Sequence, residues 1–212
     1  MAEENAPGAA DRPKRSLVVT AAAIAALGLA ALGWKGWQVF VEEPRRAEEA
    51  VKAFAFTPAA RPGPAPAPLG STPAGKPFTV GDAKGQVLFV NFWATWCPPC
   101  REEMPSMLQL GQELMARHPG KFRMVAVSVD EEWPIVQTFF GGRIPGGVEF
   151  LLDADQSVTR QYYCTARGSC PDSFKFPETY IVDARGNLVS YVIGPRDWSD
   201  PAAMRYLENL LR

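Results

Sequence analysis

The chain has 212 residues, 47% of them hydrophobic and 21% charged, with a formal net charge of −1. That balance supplies neither the basic stripe of a nucleic-acid binder nor an acidic excess, so no nucleic-acid partner is expected and function must be read from a local site. Four cysteines fall into two unequally spaced pairs, Cys97/Cys100 and Cys164/Cys170, and His118 is the single histidine.

Residues 1–16 form a polar tail whose Arg12, Lys14 and Arg15 immediately precede an uncharged run over 17–34. Trp37, Val39, Phe40 and Val41 extend it past Lys35, whose amine can reach the interface, and predict a transmembrane signal anchor over 17–41. Basic residues ahead of the run place the tail in the cytoplasm and the remainder outside, as a single-pass cell-membrane protein with an extracytoplasmic, periplasmic-side domain. A cleaved signal peptide is the alternative for so alanine-rich a run. No A-x-A site ends it, and Trp34 and Trp37 stand where an interfacial belt would. Both readings export the domain.

Residues 42–76 are rich in Ala, Pro and Gly, with Pro58, Pro62, Pro64, Pro66 and Pro68 close together, and read as a semi-rigid linker. No internal repeat is evident, which sets solenoids and propellers aside. A domain is then expected over 77–212. Strand signals fall at 78–80, 87–93, 122–129, 179–182 and 188–193, and helix signals at 97–117, 132–140, 154–163 and 200–211. Residues 183–187 carry hairpin chemistry between the last two strands. This order predicts an α/β fold with a mixed central sheet flanked by helices.

Cys97 and Cys100 enclose Pro98 and Pro99 at the junction of a strand and a helix. Two thiols at that spacing can close a small-ring disulfide and reopen it. In the first helical turn, free N–H groups and the positive end of the dipole stabilise a thiolate, which makes Cys97 the nucleophile. Cys100, one turn deeper, is the resolving thiol. The prolines suit that turn but remove donors, so a moderate pKa depression and a reductant are expected in preference to a strong oxidant. A structural bridge or half of a zinc site would use the same spacing; zinc would have to recruit Cys164 and Cys170, with His118 in a surface loop. No metal or cofactor is expected.

The segment 90–105, Val-Asn-Phe-Trp-Ala-Thr-Trp-Cys-Pro-Pro-Cys-Arg-Glu-Glu-Met-Pro, resembles the active-site segment of the TlpA/ResA-like thioredoxin family. The likeness continues through 125–130, 151–153 and Pro177-Glu178-Thr179-Tyr180-Ile181-Val182-Asp183. It implies a thioredoxin-like fold in an exported, often membrane-tethered protein that reduces disulfides, including those of apocytochromes c. The resemblance puts Cys97 and Cys100 at the redox pair and Pro177 at the facing cis-proline, where the Phe176 backbone would receive an extended peptide. Trp96 would pack beside the pair, and Trp93 would belong to the core. Asn91 stands where cytosolic thioredoxins have a buried Asp, and it cannot take a proton. The resemblance assigns comparable work to Glu103, three positions after Cys100, as acceptor of the Cys100 proton; an exposed helix carboxylate is the alternative. Pro105 matches the family's helix kink.

The chain departs from the family between Tyr163 and Pro177, where a longer segment carries Cys164 and Cys170. In an oxidising compartment these read as a structural disulfide stiffening the rim of the site, with a second redox pair as the alternative. Phe174 and Phe176 become exposed apolar contacts. The expected function is therefore an extracytoplasmic thiol-disulfide oxidoreductase, a reductase of exported protein disulfides recharged by a membrane thiol electron donor. A disulfide oxidase or isomerase is the alternative. A copper metallochaperone is disfavoured because His118 is misplaced, and a peroxidase because its cysteine context is missing.

Overall fold

The computed structural model describes residues 14–42, 45–46, 49, 54–170 and 173–212. It separates into two compact units, Met1–Arg46 and Ala47–Arg212. In the first, helix α1 (Lys14–Trp37) runs on into a widened helical turn, Gln38–Glu42. Within it, Ala23–Glu42 is long and apolar enough to cross a membrane, with a mean hydropathy of 1.3.

The second unit is built on strands β1 (Thr57–Pro64), β2 (Pro68–Ser71), β3 (Pro77–Thr79), β4 (Val87–Trp93), β5 (Phe122–Ser128), β6 (Glu149–Leu152), β7 (Glu178–Val182) and β8 (Asn187–Ile193). Its helices are α2 (Pro98–Arg117), α3 (Trp133–Phe139), α4 (Ser157–Arg167) and α5 (Pro201–Leu210). The strands form one sheet in the order β1-β8-β7-β4-β5-β6-β2-β3. β4, β5 and β6 are parallel, β7 is antiparallel to β4, and β8 is antiparallel to β7, so the sheet is mixed as expected.

Side chains alternate across a strand, and β4 uses both directions. Val87, Phe89 and Trp93 enter one core with Met104, Met107, Leu110 and Leu114 of α2 and Ala203 and Leu207 of α5. Leu88, Val90 and Phe92 enter the other, beneath Val158, Tyr162 and Ala166 of α4. A strand buried on both faces reads as a continuous apolar run, which is why it stood out in the sequence. Asn91 is the polar exception, and alternation points it towards α2.

The linker expected over 42–76 is corrected by the structure. Within it, β1 pairs with β8 and β2 bridges β3 and β6. Phe54, Phe56, Ala59 and Leu69 are buried. The prolines are tolerated because β1 is an edge strand with a register irregularity between Pro58 and Gly63, and Pro68 opens β2 beside another between Pro68 and Gly70. The sheet thus takes in residues N-terminal to the expected boundary at 77. β6 was also unmarked as a strand; it is four residues long and makes a short pairing with β5. The last two strands are joined as expected, with the Asp183 carboxylate accepting from the backbone N–H groups of Arg185 and Asn187.

Candidate active site

β4 ends at Trp93 and α2 begins at Pro98, so the intervening residues are delivered to the edge of the core at the helix start. Asp130, buried after β5, holds this loop: its carboxylate accepts from Thr95 N at 3.0 Å and from Thr95 Oγ1 at 2.8 Å. Ser128 Oγ in turn donates to Asp130. The carboxylate therefore ties the end of β5 to the residues just before Cys97.

Cys97 is the N-cap of α2 in an extended conformation, and Cys100 lies in the first turn. The two are joined as a disulfide with Cα atoms 5.3 Å apart. Cys97 Sγ accepts from Cys100 N at 3.3 Å. With Pro98 and Pro99 carrying no N–H, this is the first amide of the helix able to reach the sulfur. Cys100 is fully buried and Cys97 nearly so. The arrangement suits an outer nucleophile stabilised by the helix start and an inner partner shielded from solvent.

Phe92 on β4 pairs with Glu178 on β7, so the residue before β7 enters the sheet where β4 leaves for Cys97. That residue is Pro177, and the Phe176–Pro177 peptide bond is cis. The Trp96 and Phe176 rings meet edge to face at 6.1 Å, and Trp96 is 61% exposed, the most accessible aromatic beside the pair. Trp93 is core, packed among Phe139, Phe140 and Phe150.

Glu103 is one turn beyond Cys100 on the buried face of α2, and it is 4% exposed. Three donors hold its carboxylate: Asn91 Nδ2 at 2.9 Å to Oε1, and Arg196 N at 3.0 Å and Trp198 Nε1 at 3.1 Å to Oε2. Burial outweighs these bonds and pushes its pKa up to about 7. Asn91 also donates to Thr179 Oγ1 at 2.9 Å, which fixes the amide between β7 and the acid. A second carboxyl, Glu178, is buried behind Pro177, where it accepts from the Tyr180 hydroxyl; its pKa is likewise raised by burial. A cleft of about 390 Å³ opens beside Glu103, between Pro105 and Ser106 of α2 and the 195–197 loop.

Cys164, in the last turn of α4, is joined to Cys170 with Cα atoms 4.5 Å apart. His118 caps the far end of α2, with Nε2 3.5 Å from Glu208. A helix of that length separates it from Cys97 by about 30 Å. The sequence reading did not single out Trp198 or Asp130. Trp198 lies in a loop without periodicity, and its role depends on a contact 95 positions away. Asp130 was noted only within a matching segment; its contact with Thr95 spans two strand ends.

A cysteine pair on the first turn of the helix that follows a central strand, facing the end of the sheet where a cis-proline enters, defines a thioredoxin-fold redox domain. The chain belongs to the Redoxin family, whose model matches residues 50–207. It is similar to the thiol-disulfide oxidoreductase ResA of Bacillus subtilis, 32% identical over 122 residues, covering 57% of this chain and 60% of that protein. It is also similar to the thioredoxin-like protein YneN of the same organism, 31% identical over 126 residues, covering 58% of this chain and 65% of YneN. The chain thus spans less than two thirds of the length of these relatives. Among solved structures, a thiol:disulfide interchange protein of the thioredoxin family from Chlorobium tepidum superposes with a TM-score of 0.56 at 33% identity, covering 72% of this chain and 99% of the other.

Proposed function

We propose that this protein is an extracytoplasmic thiol-disulfide oxidoreductase that reduces disulfides of exported proteins through Cys97 and Cys100. The observation that carries the reading is the disulfide at the N-cap of α2, with its outer sulfur bonded to the first available helix amide. In the reduced protein, the Cys97 thiolate attacks one sulfur of a substrate disulfide. A mixed disulfide forms, and the displaced substrate sulfur leaves as a thiolate that takes a proton. Glu103 accepts the proton of Cys100, and the Cys100 thiolate attacks Cys97 Sγ, releasing the second substrate thiolate. Two electrons pass to the substrate, and the Cys97–Cys100 disulfide forms. A dithiol donor in the membrane returns the electrons.

The group poised to take that proton is a buried acid with a pKa near neutrality, where a carboxylate can both accept and release a proton. Phe176 and Pro177 offer the backbone on which an extended substrate segment pairs, beside the Trp96 ring. Helix α1 and the turn that follows anchor the protein, with residues 1–16 cytoplasmic; the apolar span and the basic residues ahead of it support this topology. Apocytochromes c are among the substrates that the likeness to ResA suggests.

The test is substrate trapping in cells with Cys100→Ser, which leaves the mixed disulfide on Cys97 unresolved. Exported proteins, with apocytochromes c among them, are expected as Cys97-linked adducts. Adducts confined to cytoplasmic proteins, or none above the Cys97→Ser background, would overturn the reading.

A further inference from the structure

The segment that departs from the family reaches the redox pair through a continuous line of rings. Tyr163, beside Cys164, meets Phe174 edge to face at 5.7 Å. Phe174 lies 6.5 Å from Phe176, and Phe176 lies 6.1 Å from Trp96, which immediately precedes Cys97. The guanidinium of Arg160 covers the Phe174 ring at 5.6 Å. Phe174 and Phe176 are half-buried, and Trp96 is exposed. The Cys164–Cys170 bridge closes the end of α4 onto the start of the segment carrying these phenylalanines. A half-buried ring clamped by a tyrosine and an arginine presents a fixed apolar face, which makes contact at lower entropic cost than a free side chain.

We propose that Phe174, set in place by the Cys164–Cys170 bridge, is a specificity-determining residue. It extends the Trp96–Phe176 surface so that this protein prefers cysteines flanked by an aromatic side chain in an extended polypeptide. The inference rests on the reading of Cys97 and Cys100 as the exchanging pair. The ring line starts at the residue before the nucleophile, so a peptide joined to Cys97 Sγ lays its neighbouring side chains along it. Edge-to-face aromatic contacts favour an aromatic partner over an aliphatic one of similar area.

The experiment uses the full chain in its oxidised form, with both bridges closed, in single-turnover reactions with two dithiol peptides. The peptides are identical except for phenylalanine or glycine beside the first cysteine. In each reaction a peptide thiolate attacks Cys97 Sγ, breaking its bond to Cys100, which leaves as a thiolate and is protonated. The second peptide thiol gives up its proton and displaces Cys97, so the peptide is oxidised and the pair reduced. The phenylalanine peptide is expected to half-saturate the rate at about fivefold lower concentration than the glycine peptide, the worth of one aromatic contact. Phe174→Ala and the double variant Cys164→Ser/Cys170→Ser are expected to erase that ratio, and Phe174→Leu to retain part of it. Should Phe174→Ala fail to fold, the Leu variant and the double variant decide. Equal half-saturation in the unaltered chain, or a ratio untouched by every variant, would overturn the proposal. Reaction of neither peptide would instead overturn the reading of Cys97 and Cys100, and this inference with it.

Discussion

Trp198 Nε1 donates to Glu103 Oε2 across 3.1 Å, tying the loop after β8 to the helix that carries the redox pair. The same loop is fixed by Trp198 N, which donates to Ser106 Oγ at 3.1 Å. Phe54 and Phe89 pack against the indole at 4.9 and 4.7 Å. The acid is therefore bonded directly from β4 and the loop after β8, and Trp198, whose indole holds it, is seated by Ser106, Phe54 and Phe89.

Replacing Glu103 with Gln removes the proposed proton acceptor while keeping the shape. The attack of Cys100 on a preformed mixed disulfide is expected to slow by about tenfold to a hundredfold, and its pH profile to lose the inflection near 7. Stability changes in a defined direction. A carboxyl whose folded pKa is raised favours the folded state below its unfolded value near 4.5, and that contribution is lost as pH rises through about 7. Glu103→Gln should flatten this decline, measured by urea unfolding of the oxidised protein between pH 4 and pH 8.

Trp198→Phe keeps a ring against Phe54 and Phe89 but deletes one donor to the carboxylate. A lost donor disfavours the charged form, so Glu103 is expected to titrate higher by about one unit, moving the inflection in the resolving step the same way. The smaller ring also costs about 2 kcal/mol of stability. A profile that stays in place would show that the indole acts on packing alone.

Asn91→Asp replaces a donor at 2.9 Å from Glu103 with a second carboxyl. Like charges that close cannot both ionise, so the pair is expected to share a proton and titrate in two separated steps, the upper one above that of Glu103 alone. Titration of the labelled carboxyl carbons by NMR reads this directly. The variant should lose stability progressively above neutral pH, where the last proton is removed.

The N-terminal part of the sheet is expected to be required for the domain to fold. A fragment beginning at residue 77 lacks Phe54, Phe56, Ala59 and Leu69, leaving Trp198 and the β8 edge uncovered. It is expected to be largely unfolded by circular dichroism, whereas one beginning at residue 47 melts cooperatively. In the longer fragment, Phe54→Ala should cost about 3–5 kcal/mol.

Much of this was legible in the sequence because the central strands are buried on both faces and helices α2, α4 and α5 each bury one apolar face. β4 and α2 showed themselves through that patterning, and the position of Cys97 and Cys100 at their junction followed. β1 and β2 were hidden because proline density opposes strand formation locally; what overrides it is an edge position and register irregularities, which only the assembled sheet supplies. The role proposed for Glu103 came from the resemblance to the TlpA/ResA-like family and the asparagine at 91, with its spacing to Cys100 placing it on the same helix face as the pair. Its anchoring by Trp198 and Arg196 was not legible, since bonds between residues 95 and 93 positions apart leave no periodic trace.

The most direct test of the central claim is the reduction potential of the Cys97/Cys100 pair in the full chain. Samples are equilibrated against glutathione or thioredoxin buffers, the thiols are alkylated, and each cysteine pair is quantified separately by peptide mass, so that Cys164 and Cys170 do not confuse the reading. A dedicated reductase is expected to show a potential near or below about −270 mV, the range of thioredoxin. A value near about −120 mV would contradict the account and make the protein a disulfide donor.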